Sequence, residues 1–122
     1  MMNIIFIGIG GALGAIARHS LGLYIKNQFN TVFPVSTYTI NIIGCLIIGI
    51  LYGILDKYNL GNSVWNYLLV IGFCGSFTTF STFANENVNL FQNGNIFTAI
   101  CYIMASVIIG IISVKFGYML IK

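Results

Sequence analysis

The chain has 122 residues, of which 58% are hydrophobic and only 6% charged. Soluble domains carry about 25% charged residues, so this composition sets aside a water-soluble fold and predicts an integral membrane protein. The formal net charge of +3 is too small and too scattered for a nucleic-acid surface.

Four apolar runs follow in order, at about 4–25, 36–55, 64–91 and 96–121. Each supplies the roughly 20 residues that cross a ~30 Å hydrocarbon core as a helix. Helix is the expected form, because it satisfies every backbone group within one segment. The fold class is therefore all-α, a single transmembrane domain over 1–122 with four spans and no visible internal repeat. Polar connections separate the runs: 26–35 with Pro34 as breaker, 58–63 with Gly61, and the turn sequence "QNGN" at 92–95.

The first run lacks a basic leader and a small-residue cleavage site, so it reads as a retained span and not a signal peptide. Gly10 and Gly14 form a GxxxG pair that lets helices approach closely. Arg18 lies near the end of the run; it either snorkels to the interface or faces a vestibule that draws in anions. His19 is the sole histidine and reads as interfacial, since no second one completes a metal site. In the second run, Thr37 and Asn41 are four apart and share a face, and Gly49 and Gly53 form another GxxxG pair. The amide of Asn41 must be paired in hydrocarbon, and it offers two donors.

The third run contains "GFCGSFTTFST" at 72–82. Gly72, Gly75 and the hydroxyl cluster predict a weak or broken helix, tolerated at membrane depth where protein buries it or water reaches it. Freed carbonyl oxygens would suit a small hard cation such as Na⁺. Phe80 and Phe83 share one helical face. They either fill space or present positive ring edges to an anion. Glu86 sits near an interface with a hydrogen-bonded partner or takes part in transport. In the fourth run Thr98, Tyr102, Ser106, Gly110, Ser113 and Gly117 form one stripe of hydroxyls and small residues. Such a stripe is either glue between helices or the lining of a narrow wet path.

Cys45, Cys74 and Cys101 are odd in number and lie within apolar runs, which predicts packing residues and no disulfide framework. Basic residues set orientation weakly. Lys57 and Lys122, with Lys115 nearby, stand against Lys26 and Arg18. Either one orientation prevails, or the chain inserts both ways and pairs head to tail.

"GFCGSFTTFSTF" at 72–83, "GGALGAIAR" at 10–18 and "TYTINIIGCLIIG" at 37–49 together resemble the Fluc (CrcB) fluoride channels over the whole chain. The resemblance implies a fluoride-selective channel in the cell inner (plasma) membrane that lets fluoride leave the cytoplasm passively. It implies an antiparallel, dual-topology homodimer with two pores. Asn41, Phe80 and Phe83 would contact fluoride, and Tyr102 and Ser106 match a polar track. Thr37, Ser81, Thr82 and Glu86 are further candidates along the pathway, and Arg18 would sit by a vestibule. Backbone carbonyls of Gly75 and Thr78, a pair from each subunit, would hold a structural Na⁺ at the dimer axis. Ser76 departs from a glycine in many relatives, and Gly110 from a serine in some, with Ser113 as a possible substitute one turn on.

The alternative is a small four-helix multidrug/proton antiporter. That chemistry needs a carboxylate in the first span, and none is present there. A non-transporting assembly protein is a third reading. An enzyme is not expected, since no nucleophile–base or multi-ligand metal set is visible.

Overall fold

The computed structural model describes residues 1–121; Lys122, one of the basic residues weighed for orientation, lies outside them. Helix α1 spans Met2–Gln28 and α2 spans Val35–Lys57. The third span covers Asn66–Gln92 as one bent run. It comprises a π-helical stretch Asn66–Cys74, one α-helical turn α3 (Gly75–Phe77) and helix α4 (Phe80–Gln92). Helix α5 spans Ile96–Ile121. All four runs are long and apolar enough to cross a membrane, and no strand occurs among the described residues. The protein is a multi-pass, all-helical membrane protein.

Local chemistry fixes where the spans end. Pro34, at φ −76°, directly precedes α2, where its missing N–H costs nothing. After α2, the Leu60 N–H donates to Leu55 O at 2.8 Å and the Asn59 N–H to Asp56 O at 3.3 Å. Asn59 takes the left-handed φ of 55° that this closure requires. The predicted turn at 92–95 closes α4 the same way, with Asn95 N–H to Leu90 O at 2.8 Å and Gly94 at φ 80°. Gly94→Ala is expected to cost about 1 kcal/mol, read as a lower midpoint of unfolding in detergent.

Glycines set the helix crossings. Helices α2 and α5 run parallel: a Cβ at Gly49 would strike the Val114 carbonyl, one at Gly117 the Leu46 carbonyl, and one at Gly53 would meet Ile121 Cβ at 2.9 Å. Helix α1 crosses the π-helical stretch equally closely. A Cβ at Gly10 would strike the Leu68 carbonyl, and one at Gly72 would lie 2.8 Å from the Ile7 carbonyl oxygen. Both GxxxG pairs thus serve contacts within one chain.

The α5 stripe divides in two. Gly110, Ser113 and Gly117 are buried, and the Ser113 hydroxyl donates to Ile109 O at 2.7 Å. This end of the stripe is buried, and the Ser113 hydroxyl is bonded within its own helix. Tyr102 and Ser106, nearer the start of α5, are placed below. Ser76 is likewise structural: its hydroxyl donates to Gly11 O at 2.7 Å and links α3 to α1.

Two small cores result. One gathers Ile25, Ile40 and Phe77; the other gathers Leu90, Ala99 and Tyr102. Much of the remaining apolar surface is exposed, as at Phe97 and Met104, where lipid is its natural solvent. All three cysteines are free, with Cys74 buried and Cys101 exposed.

Candidate functional site

Gly72, Gly75 and the hydroxyl cluster that begins at Thr78 mark the stretch expected to be weak; Gly75 is itself helical, at φ −60° and ψ −34°. The extended residues are Thr78 (φ −81°, ψ 155°) and Thr79 (φ −145°, ψ 119°). Two threonine hydroxyls and the Asn41 amide hold this pair. The Thr78 hydroxyl donates to Cys74 O at 3.0 Å. The Thr79 side chain caps α4 by accepting the Thr82 N–H at 3.3 Å. The Thr79 N–H donates to Asn41 Oδ1 at 2.8 Å, and Asn41 Nδ2 donates to Thr79 O at 3.1 Å.

These bonds have a consequence for two carbonyls. In a continuous helix, Gly75 O would accept from the Thr79 N–H and Thr78 O from the Thr82 N–H, each four residues on. Here the Thr79 N–H goes to Asn41 and the Thr82 N–H to the Thr79 hydroxyl. Both carbonyls are released from that duty.

A groove of about 310 Å³ opens beside this link. Asn41, Thr78, Thr79, Phe80, Phe83 and Ser106 line it, with Gly44, Cys45, Ile48 and Val107 supplying apolar wall. Phe80 is 78% exposed and lies 5.7 Å from Phe83, centroid to centroid, with the rings tilted by 46°. Phe83 is half-buried and meets Tyr102 edge-on at 4.8 Å. The Ser106 hydroxyl is buried and has no hydrogen-bond partner among the described residues. An unpaired hydroxyl costs free energy away from water, and this one belongs to a residue of the groove wall.

About one helical turn along, Thr37, Glu86 and Tyr102 form a closed trio. The Thr37 hydroxyl donates to Glu86 Oε2 and the Tyr102 hydroxyl to Glu86 Oε1, both at 2.8 Å. These two bonds hold the carboxyl group by both oxygens. Tyr102 is fully buried and also meets Phe33 edge-on at 5.3 Å. Glu86 then faces a smaller pocket of about 90 Å³, shared with Lys26, Thr31 and Ser36 at the α1–α2 connection.

The other sequence candidates fall outside the groove lining. Ser81 is exposed and Thr82 half-buried, both in the first turn of α4 beside Thr79. Gly75 is exposed. Arg18 is half-buried on α1, and its Nε has no hydrogen-bond partner among the described residues. Two contributors carry no sequence signal for a site: Phe33 from a loop, and Asn87. The last is buried and donates from Nδ2 to Phe83 O at 2.9 Å.

A family model described as "CrcB-like protein, Camphor Resistance (CrcB)" matches residues 5–118. The chain belongs to the CrcB-like family. Its curated relatives include proteins named "Fluoride-specific ion channel FluC". The one from Flavobacterium psychrophilum is 39% identical over 122 residues, covering 100% of this chain and 98% of the relative. That from Azobacteroides pseudotrichonymphae is 38% identical, covering 98% and 96%. That from Chloroflexus aurantiacus is 40% identical, covering 96% and 93%. The CrcB-like match takes in α1, α2, the whole third span and nearly all of α5, so the groove and the trio lie inside it.

Proposed function

We propose that this chain is a fluoride-selective channel of the plasma membrane, through which fluoride leaves the cytoplasm passively. The observation that carries this reading is the full-length similarity to proteins named fluoride-specific ion channels. The groove chemistry supports it. Fluoride is small and strongly hydrated, so dehydration dominates its barrier. A pore must replace that water with several weak donors and still release the ion. Asn41 retains one N–H beyond the bond to Thr79, Ser106 has an unpartnered hydroxyl, and the two rings offer positive edges. None of the groove-lining residues is a lysine or arginine that would trap the anion.

The working unit in this reading is an antiparallel, dual-topology homodimer. Its support is the near balance of basic residues across the spans, together with a groove that is open on the side where Phe80 is exposed. A second copy would supply the missing wall. Thr37, Glu86 and Tyr102 would continue the fluoride path beyond the groove. Ser81 and Thr82 would lie beside it, and Arg18 near its vestibule.

The extended pair Thr78–Thr79 would act as a functional break in the third span. The carbonyls of Gly75 and Thr78 would hold Na⁺. They fit a hard cation, which takes oxygen ligands, because their usual helical donors are engaged elsewhere. Two carbonyls are too few for such an ion, and a second copy would double them. Dialysis into Na⁺-free buffer is expected to abolish fluoride flux, and restored Na⁺ to recover it. Flux that is indifferent to Na⁺ would remove the cation from this account and leave the channel standing. The channel itself is tested by fluoride efflux from liposomes containing the folded protein, with empty liposomes as the baseline.

A further inference from the structure

We propose that Gly44 is a positioning residue that seats Thr78 and, together with Asn41, fixes the extended pair Thr78–Thr79 against α2. The two α2 positions are three apart and so share a face. Asn41 grips the main chain of Thr79 with both ends of its amide. Gly44 is what allows Thr78 to lie close enough for that grip. It is buried in regular α-helix, so its value lies in the absent side chain. A Cβ at this position would strike Cγ2 of Thr78 and lie 3.3 Å from Cδ2 of Phe77.

The Thr78 methyl is not free to swing aside. Its hydroxyl is committed to the Cys74 carbonyl at 3.0 Å, and that bond fixes the side-chain rotamer. A methyl group added at Gly44 therefore pushes Thr78 as a whole. Thr79 would move with it, out of reach of the Asn41 amide. The start of α4 follows immediately at Phe80, so the displacement reaches Phe80 and Phe83. Gly44 acts through Thr78 and touches no ion in this scheme.

The experiment uses the full chain and three variants: Gly44→Ala, Thr78→Ser and the double variant. Thr78→Ser keeps the hydroxyl and deletes the methyl that Gly44 accommodates. Two readouts are taken, fluoride efflux and hydrogen exchange at the Thr79 amide. Gly44→Ala is expected to lower efflux and speed Thr79 exchange by roughly tenfold each, the scale of a lost buried hydrogen bond. The double variant should match Thr78→Ser in both readouts to within about twofold, as expected when coupling resides in that one contact.

Wild-type exchange at Thr79 in Gly44→Ala overturns the proposal. So does a double variant no better than Gly44→Ala, because the damage then arises elsewhere. The inference rests on the channel reading in its efflux readout alone. Rescued Thr79 exchange without any wild-type fluoride flux would support the seat and refute the channel.

Discussion

Phe83→Ile and Phe80→Ile are each expected to reduce fluoride flux by roughly tenfold while leaving assembly of the proposed homodimer intact. Isoleucine preserves apolar bulk but has no ring quadrupole, so it removes the positive edge that would face an anion. Edge contacts of aromatic rings are worth up to about 1.5 kcal/mol, and about 1.4 kcal/mol corresponds to tenfold in rate. The two variants should separate on stability. Phe80 is 78% exposed, so its replacement is expected to leave the unfolding midpoint nearly unchanged. Phe83 packs edge-on against Tyr102 at 4.8 Å, and its replacement should also destabilise the fold. Efflux assays beside thermal unfolding check both halves. Wild-type flux in Phe80→Ile would remove the ring-edge role, because no packing loss complicates that variant.

Tyr102→Ala is expected to cause one of the largest stability losses of any single substitution here. The side chain is fully buried, touches Phe33 and Phe83 edge-on and donates to Glu86 at 2.8 Å. Truncating a buried aromatic costs about 3–5 kcal/mol. Lipid is as apolar as the core, so the lost ring contacts and the cavity dominate that cost. Tyr102→Phe separates the hydroxyl from the ring. It keeps both edge contacts and leaves Glu86 Oε1 without this donor, for about 1–3 kcal/mol. Chemical unfolding in detergent distinguishes them. Equal losses in the two variants would place the whole effect in the hydrogen bond and none in packing.

The spans were legible because apolar run length is a local property. The fourth run was expected at 96–121 and the helix is Ile96–Ile121. The first was expected at 4–25, and α1 extends further at both ends, through Met2–Gln28, because its polar flanks continue the helical hydrogen bonding. The pairing of Thr37 with Asn41 on one face also followed from spacing, and the two do point toward the third span.

Tertiary choices were not legible. Gly72, Gly75 and the hydroxyl cluster at 78–82 together predict a weak helix without saying which residues leave it. Gly72 instead provides close approach to α1, and the extended residues are Thr78 and Thr79, held by an amide 38 residues away in sequence. Ser113 shares a helical stripe with Ser106, yet its hydroxyl turns to the Ile109 carbonyl while that of Ser106 remains unpaired at the groove. Nothing local separates those two serines. The π-helical stretch Asn66–Cys74 has no sequence signature either, and α1 crosses it closely at Gly10 and Gly72.

The most direct test of the account is ion efflux from liposomes carrying the folded protein, measured for fluoride and chloride in parallel. The account predicts rapid fluoride release, far above empty liposomes, with chloride at the empty-liposome level. Equal release of both anions, or no fluoride release above that baseline, would contradict it.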